Sequence, residues 1–234
     1  MSLAPVSWAG AAFVLFVTLV IPWAVIKNHD SALAMVWIPL SRRFFAMLIP
    51  QVGLGLAAIA TAWTDGVELF PARLPSSISW LAAAVFLIVA LILVRPHWRR
   101  SMEEGKPTWR LFAPASPRER RMWIVLSLCA GIGEELVWRG VLPALLTRLS
   151  GSFAIALTLS VLSFAIAHAI QGLRSVLAIA TFAVAFHALV WVSGSLYVGM
   201  AAHFVYDLIA GFTYAQFARE LGLIEPLAER GVRL

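Results

Sequence analysis

The sequence predicts an all-α fold, a polytopic transmembrane bundle of about seven spanning helices. Three observations carry this: an apolar composition, apolar runs of spanning length, and one-sided segregation of basic residues. Of 234 residues, 61% are hydrophobic and only 13% charged. A soluble domain is nearer half apolar and a quarter charged. So few polar groups cannot cover a globule in water, and the alternative solvent is lipid.

A spanning helix needs ~20 mostly apolar residues. Runs of that kind lie at about 6–26, 44–63, 78–94, 122–146, 153–171, 175–193 and 196–217. The first is read as a retained span, because no Lys or Arg precedes Lys27 and the run outlasts a signal h-region. The apolar stretch Ala32–Leu40 is too short to span and is expected at the interface. Pro22 and Pro50 are expected to kink their helices, which membranes tolerate. Pro107, Pro114 and Pro117 argue against one continuous helix in the loop from Arg95 to Arg121. Trp8, Trp23, Trp63, Trp80, Trp98, Trp123 and Trp191 fall near predicted ends, as an interfacial belt requires, whereas Trp138 is expected inside the bundle.

Basic residues set the orientation. The Arg95–Arg121 loop holds eight: Arg95, Arg99, Arg100, Lys106, Arg110, Arg118, Arg120 and Arg121. With that loop in the cytoplasm, Lys27, Arg42, Arg43, Arg174, Arg219, Arg230 and Arg233 also fall inside, and only Arg73 and Arg148 outside. The N-terminus is then outside and the C-terminus cytoplasmic. No internal repeat or soluble domain is evident. The expected organisation is one membrane domain over 1–234, with N-terminal helices in 1–95 and a second group of helices in 120–217. The single cysteine, Cys129, excludes a disulfide framework and a multi-cysteine metal site; in its apolar run it is expected to be buried and inert. The net charge of +6 suits loops facing anionic lipid, and no nucleic acid is expected as a partner.

Seven ionisable side chains fall within the predicted spans: Glu134, Glu135, Arg139, His168, His187, His203 and Asp207. Each Asp, Lys or Arg at a helix centre costs ~2.5–3.5 kcal/mol on insertion scales. Such groups must face the bundle interior, and the default reading is a functional site. Glu135 and Arg139 are four apart and can pair. Glu134 sits about 100° round the helix and lacks that partner, which makes it the better general base. Gly131 and Gly133 just before it allow a close approach by another helix or a substrate. Phe164 and His168 share a face that Ser160 extends by a turn. His203 and Asp207 share another, so the carboxyl can orient the imidazole. Depth agrees for Glu134 and Asp207, at ~15–21 Å from the basic end. His168, at ~5 Å, leaves a mismatch of about 10 Å, which tilt or a helix running past Gln171 would absorb. His187 lacks a partner at that spacing and is read as a satisfied interior histidine.

At these positions the chain resembles the CPBP family of intramembrane proteases, which includes the type II CAAX prenyl endopeptidases and bacteriocin-processing or immunity proteins. The family motifs EExxxR, FxxxH and HxxxN or HxxxD read here as Glu134-Glu135-Leu136-Val137-Trp138-Arg139, Phe164-Ala165-Ile166-Ala167-His168 and His203-Phe204-Val205-Tyr206-Asp207. The resemblance covers about residues 120–217. It implies a glutamate-dependent endopeptidase with no cofactor, in which Glu134 and His168 activate a water and His203 and Asp207 form the oxyanion site. Glu135, Arg139 and Phe164 support them. The CAAX endopeptidases carry Asn where this chain has Asp207. An ionised Asp cannot donate to an oxyanion, so Asp207 is either protonated or instead orients His203, and the second is preferred.

Three other readings use the same residues. A zinc metalloprotease would take Glu134, His168 and His203 as ligands, though no HExxH is present. A proton-coupled transporter would use them as a relay, though the halves show no inverted repeat. A non-proteolytic scaffold or immunity protein would only bind a membrane partner. The expected partners are membrane lipid and a peptide or membrane-anchored substrate, prenylated in the CAAX precedent. The expected location is the inner membrane of a bacterium. Substrate identity and oligomeric state are not encoded in these motifs.

Overall fold

In lipid a backbone must satisfy its own polar groups, which long apolar runs do by forming helices. A computed structural model describes residues 5–70 and 74–224, and these form helices and turns with no strand among them. The chain order is α1 (Trp8–Lys27), α2 (His29–Ala34), α3 (Leu40–Asp65), α4 (Ser77–Glu103), α5 (Pro117–Glu135), α6 (Leu142–Ser150), α7 (Phe153–Ala167), α8 (Leu173–Ser193) and α9 (Leu196–Glu220). A π-helical turn, Leu136–Val141, joins α5 to α6, and another, Phe16–Val20, lies within α1 just before Pro22. Arg73, Arg230 and Arg233, used above for orientation, lie outside the described residues.

Among the described residues five helices, α1, α3, α4, α8 and α9, are long and apolar enough to cross a membrane, against the seven predicted. Two runs miss for separate reasons. The run at 122–146 sits in a helix broken by the π turn and carrying Glu134, Glu135 and Arg139. The run at 153–171 is helical for only 15 residues, Phe153–Ala167, or ~22 Å against a hydrocarbon core of ~30 Å. His168 caps that helix, and the chain turns away through Ala169–Gln171 and Gly172 at φ 87°. The helix thus stops short of Gln171 instead of running past it, and His168 marks its end.

The basic connection is also shorter than predicted. Helix α4 continues past Pro96 to Glu103, where Arg99 pairs with Glu103 at 3.0 Å and with Glu220 of α9 at 2.9 Å. Helix α5 then starts abruptly: Pro117 occupies its first turn, and Ser116 and Glu119 cap each other's backbone N–H groups. At the opposite end, Asp65 accepts from the Ser7 N–H and hydroxyl at 2.7 Å each, and Arg148 donates to the Asp65 carbonyl at 2.6 Å. That knot ties α1, α3 and α6 together.

The α5 helix is the axis of the bundle, and glycine brings its neighbours close. A Cβ on Gly133 would stand 3.0 Å from the carbonyl oxygen of Gln51 on α3. One on Gly131 would stand 2.8 Å from the Phe204 nitrogen and 3.1 Å from the Met200 oxygen on α9. Both obstacles at Gly131 are backbone, which cannot rotate aside. Gly131→Ala is therefore expected to destabilise the protein by ~1–3 kcal/mol, the range for overpacking. Unfolding by denaturing detergent, followed by circular dichroism, measures it.

Trp8, Trp63 and Trp191 are strongly exposed, as an interfacial belt needs. Trp98 and Trp123 are buried and do not belong to it. Trp123 donates to the Asp207 carbonyl at 3.0 Å, and Trp98 packs on Tyr206 and Tyr214. Trp138 is buried as expected; its Nε1 donates to Ser163, which donates in turn to the Val17 carbonyl of the π turn in α1. Cys129 is half-buried.

Candidate active site

Three successive stretches converge on one point: the end of α5, the end of α7 and the middle of α9. Glu134 is 6% exposed. Its Oε2 lies 4.0 Å from His168 Nε2 and 3.7 Å from His203 Nε2. Among the described residues this oxygen has no hydrogen-bond partner. The structure thus brings together the carboxylate and both imidazoles that the spacing singled out.

Each ring is held by its other nitrogen. His168 Nδ1 donates to the Phe164 carbonyl at 2.7 Å, since a carbonyl can only accept. The four-residue spacing of Phe164 and His168 creates that bond, and the Phe164 ring packs on His168 with centroids 4.6 Å apart. His203 Nδ1 lies 2.9 Å from Glu135 Oε1. In both residues Nε2 is the nitrogen that faces Glu134.

Glu135 therefore does more than pair with Arg139. It is fully buried, forms an ion pair with Arg139 at 3.1 Å and anchors His203. Asp207, expected to orient His203, forms no hydrogen bond to its ring. Its Oδ2 lies 3.7 Å from His203 Nε2, beyond hydrogen-bond length and on the reacting side of the ring. Asp207 is one helical turn from His203, but Glu135 reaches the ring from a neighbouring helix at shorter range. Gly199 makes room for it, since a Cβ there would stand 2.9 Å from Glu135 Oε2. Arg139 lies over the Phe164 ring at 4.3 Å and the Phe186 ring at 5.3 Å, which shields its charge from lipid. His187 lies buried near Glu135 and Arg139 and makes no contact with Glu134. Ser160 is buried off the cavity, with no hydrogen-bond partner among the described residues.

One residue of the site escaped the motif reading. Gln51 on α3 donates from Nε2 to Glu134 Oε1 at 2.7 Å. This leaves Oε2 as the free oxygen and aims it between the histidines. The available signal was a lone amide in an apolar span, next to Pro50. Hydrogen bonds to charged groups contribute ~1.5–3 kcal/mol. Gln51→Leu is accordingly expected to lower turnover by about 10–100-fold, read as kcat on a cleavable peptide.

A cavity of about 460 Å³ runs from Glu134, His168, His203 and Asp207 to Arg43, Trp98 and Tyr214 at the basic end of the bundle. A second, of about 570 Å³, opens on the other side of Gln51 between α1 and α3, lined by Phe16, Ile21, Leu54 and Trp138. Both reach Glu134 and His168, so the carboxylate sits where two spaces meet. Among the described residues no three His, Cys, Asp or Glu are grouped to hold a metal ion.

Residues 117–209 match a family model described as Rce1-like, type II CAAX prenyl endopeptidase Rce1-like. That segment, about two fifths of the chain, contains all three motifs. No curated protein and no solved structure matches the chain.

Proposed function

We propose, from the match of residues 117–209 to the Rce1-like type II CAAX prenyl endopeptidase family model, that the protein is an intramembrane endopeptidase in which Glu134 activates a water. The observation that carries this is the single unpartnered carboxylate oxygen facing two imidazole nitrogens at 3.7 and 4.0 Å. Those separations suit a water bridging the three groups. Glu134 Oε2 takes a proton from the water as its oxygen attacks the scissile carbonyl. His168 Nε2 positions the water, and Glu134 then returns the proton to the departing amine.

The developing oxyanion needs donors on the far side of the carbonyl. His203 Nε2 supplies one when the ring carries both protons, since Nδ1 already gives its hydrogen to Glu135. Asp207 stands beside that nitrogen. Since Glu135 orients the ring, Asp207 takes the second oxyanion position, which it can fill only while it carries a proton. Arg139 neutralises Glu135 and takes no part in proton transfer.

The substrate is a peptide whose scissile bond can be drawn into the bilayer, with a prenylated chain as one candidate. The inner membrane of a bacterium, with the basic end in the cytoplasm, is the setting that the charge distribution supports.

The test is proteolysis of a peptide library by the purified protein in liposomes, wild type against Glu134→Gln. Cleavage by the wild type and its loss in the variant are expected, with activity retained in a strong chelator. Equal cleavage by both proteins would overturn the reading. Chelator-sensitive cleavage with zinc in the purified protein would make Glu134, His168 and His203 metal ligands instead. Substrate-driven proton flux without cleavage would point to a transporter.

A further inference from the structure

Six aromatic side chains form a belt on the wall of the larger cavity: Phe182 on α8, Tyr206 and Tyr214 on α9, Trp98 on α4, Phe112 just ahead of α5 and Trp123 on α5. Taken in the order Phe182, Tyr206, Trp98, Tyr214, Phe112 and Trp123, neighbouring ring centroids stand 5.6, 6.0, 5.0, 6.0 and 6.1 Å apart. Aromatic rings attract one another at such separations through their quadrupoles. The belt also meets the reacting centre at two points. Tyr206 directly precedes Asp207 in α9, and Trp123 Nε1 donates to the Asp207 carbonyl at 3.0 Å.

A buried tyrosine hydroxyl usually finds a hydrogen-bond partner. Among the described residues the hydroxyls of Tyr206 and Tyr214 have none, and neither is fully enclosed, although both side chains line the cavity. A peptide main chain entering this space offers carbonyl acceptors to both.

Charge selects the side chain that comes with it. Among the described residues the cavity wall carries one guanidinium, Arg43, and two carboxylates, Glu134 and Asp207. A charged side chain of either sign therefore meets a like charge as well as an opposite one, and loses its hydration. A neutral ring loses little hydration, buries apolar area and can stack on the belt. The cavity, at about 460 Å³, is of ordinary ligand size.

We propose that this belt is a specificity subsite for an aromatic side chain of the substrate, close to the scissile bond. This rests on the endopeptidase reading. Stacking on Tyr206, Trp98 and Tyr214 seats the ring, and the main chain beside it passes the Asp207 end of the belt, where Glu134 and the two imidazoles stand.

The experiment uses peptides of one cleavable sequence. Each of the three positions on either side of the cut carries in turn Ala, Leu, Phe, cyclohexylalanine, Lys or Glu. Cyclohexylalanine keeps the bulk of Phe and lacks its π-system. Cleavage by the wild type in liposomes gives kcat/KM, and calorimetric titration of Glu134→Gln gives affinity without cleavage. At one position Phe is expected to exceed Ala by about 10–100-fold, the range for burying a large apolar side chain. At the same position it should exceed cyclohexylalanine by about 2–10-fold, the range for an aromatic pair beyond its area. Lys and Glu should do no better than Ala there.

Tyr206→Leu and Tyr214→Leu should bring the ratio of Phe to cyclohexylalanine towards one, and Tyr206→Phe and Tyr214→Phe should retain it. The ratio is taken within one protein, so a smaller folded fraction does not alter it, and the wild-type series needs no variant. Equal wild-type values for Phe and cyclohexylalanine at all six positions would reduce the belt to an apolar wall and overturn the proposal. A preference for Lys or Glu would overturn it as well, as would an unchanged ratio in both Leu variants. If the ratio is one while the wild type cleaves and Glu134→Gln does not, the endopeptidase reading stands without the subsite. If no peptide is cleaved, that reading fails, and the affinities of Glu134→Gln for the Phe and cyclohexylalanine peptides decide the subsite: a difference supports it and equality overturns it.

Discussion

Replacing Glu134 with Gln is expected to lower kcat by about 10²–10⁴-fold, the usual contribution of a general base, with the fold intact. The substitution keeps the shape of the side chain, and its carbonyl can still accept from Gln51, which now reaches Oε1 at 2.7 Å. What disappears is an oxygen that can take a proton beside the two imidazoles. A kcat that falls with KM and the unfolding midpoint unchanged is the signature of a group that acts in the transition state. A parallel loss of stability would show that Glu134 mainly holds the helices together. Single-turnover cleavage in detergent, beside a detergent-unfolding curve for each protein, separates the two.

Glu135→Ala is expected to do the reverse, with stability lost as well as activity. Arg139 is buried and Glu135 is its carboxylate partner at 3.1 Å. Removing one partner of a buried pair costs ~3–5 kcal/mol, because the other charge is left without compensation. The loss is large against a total stability of ~5–15 kcal/mol. His203 also loses the anchor on Nδ1, so its ring can turn away from Glu134. Replacing both residues, as Glu135→Ala with Arg139→Met, should recover most of the stability and none of the activity. If the single variant unfolds at the wild-type midpoint, the pair is not a structural brace.

Much of the site was legible because helical spacing is local. Residues four apart share a face whatever surrounds them, so Glu135 with Arg139, Phe164 with His168, and His203 with Asp207 could be paired on sight. The Glu135–Arg139 bridge and the hydrogen bond from His168 to the Phe164 carbonyl are both of this kind. The failures were contacts between helices. Spacing offered Asp207 as the group that orients His203, yet Glu135 does so from α5. Nothing local linked Gln51 to Glu134, 83 residues away. Span counting failed likewise where the chain bends at interior points, at the π turn Leu136–Val141 and at Gly172.

The sequence by itself determined the solvent, the helical class, the basic end and the set of ionisable groups that must face inward, because each follows from composition or from a repeat of a few residues. Tertiary structure decided which oxygen of Glu134 is free and which carboxylate steadies His203. Those depend on helix rotation and depth, which close glycine contacts such as Gly131 against Phe204 set between segments far apart in the chain.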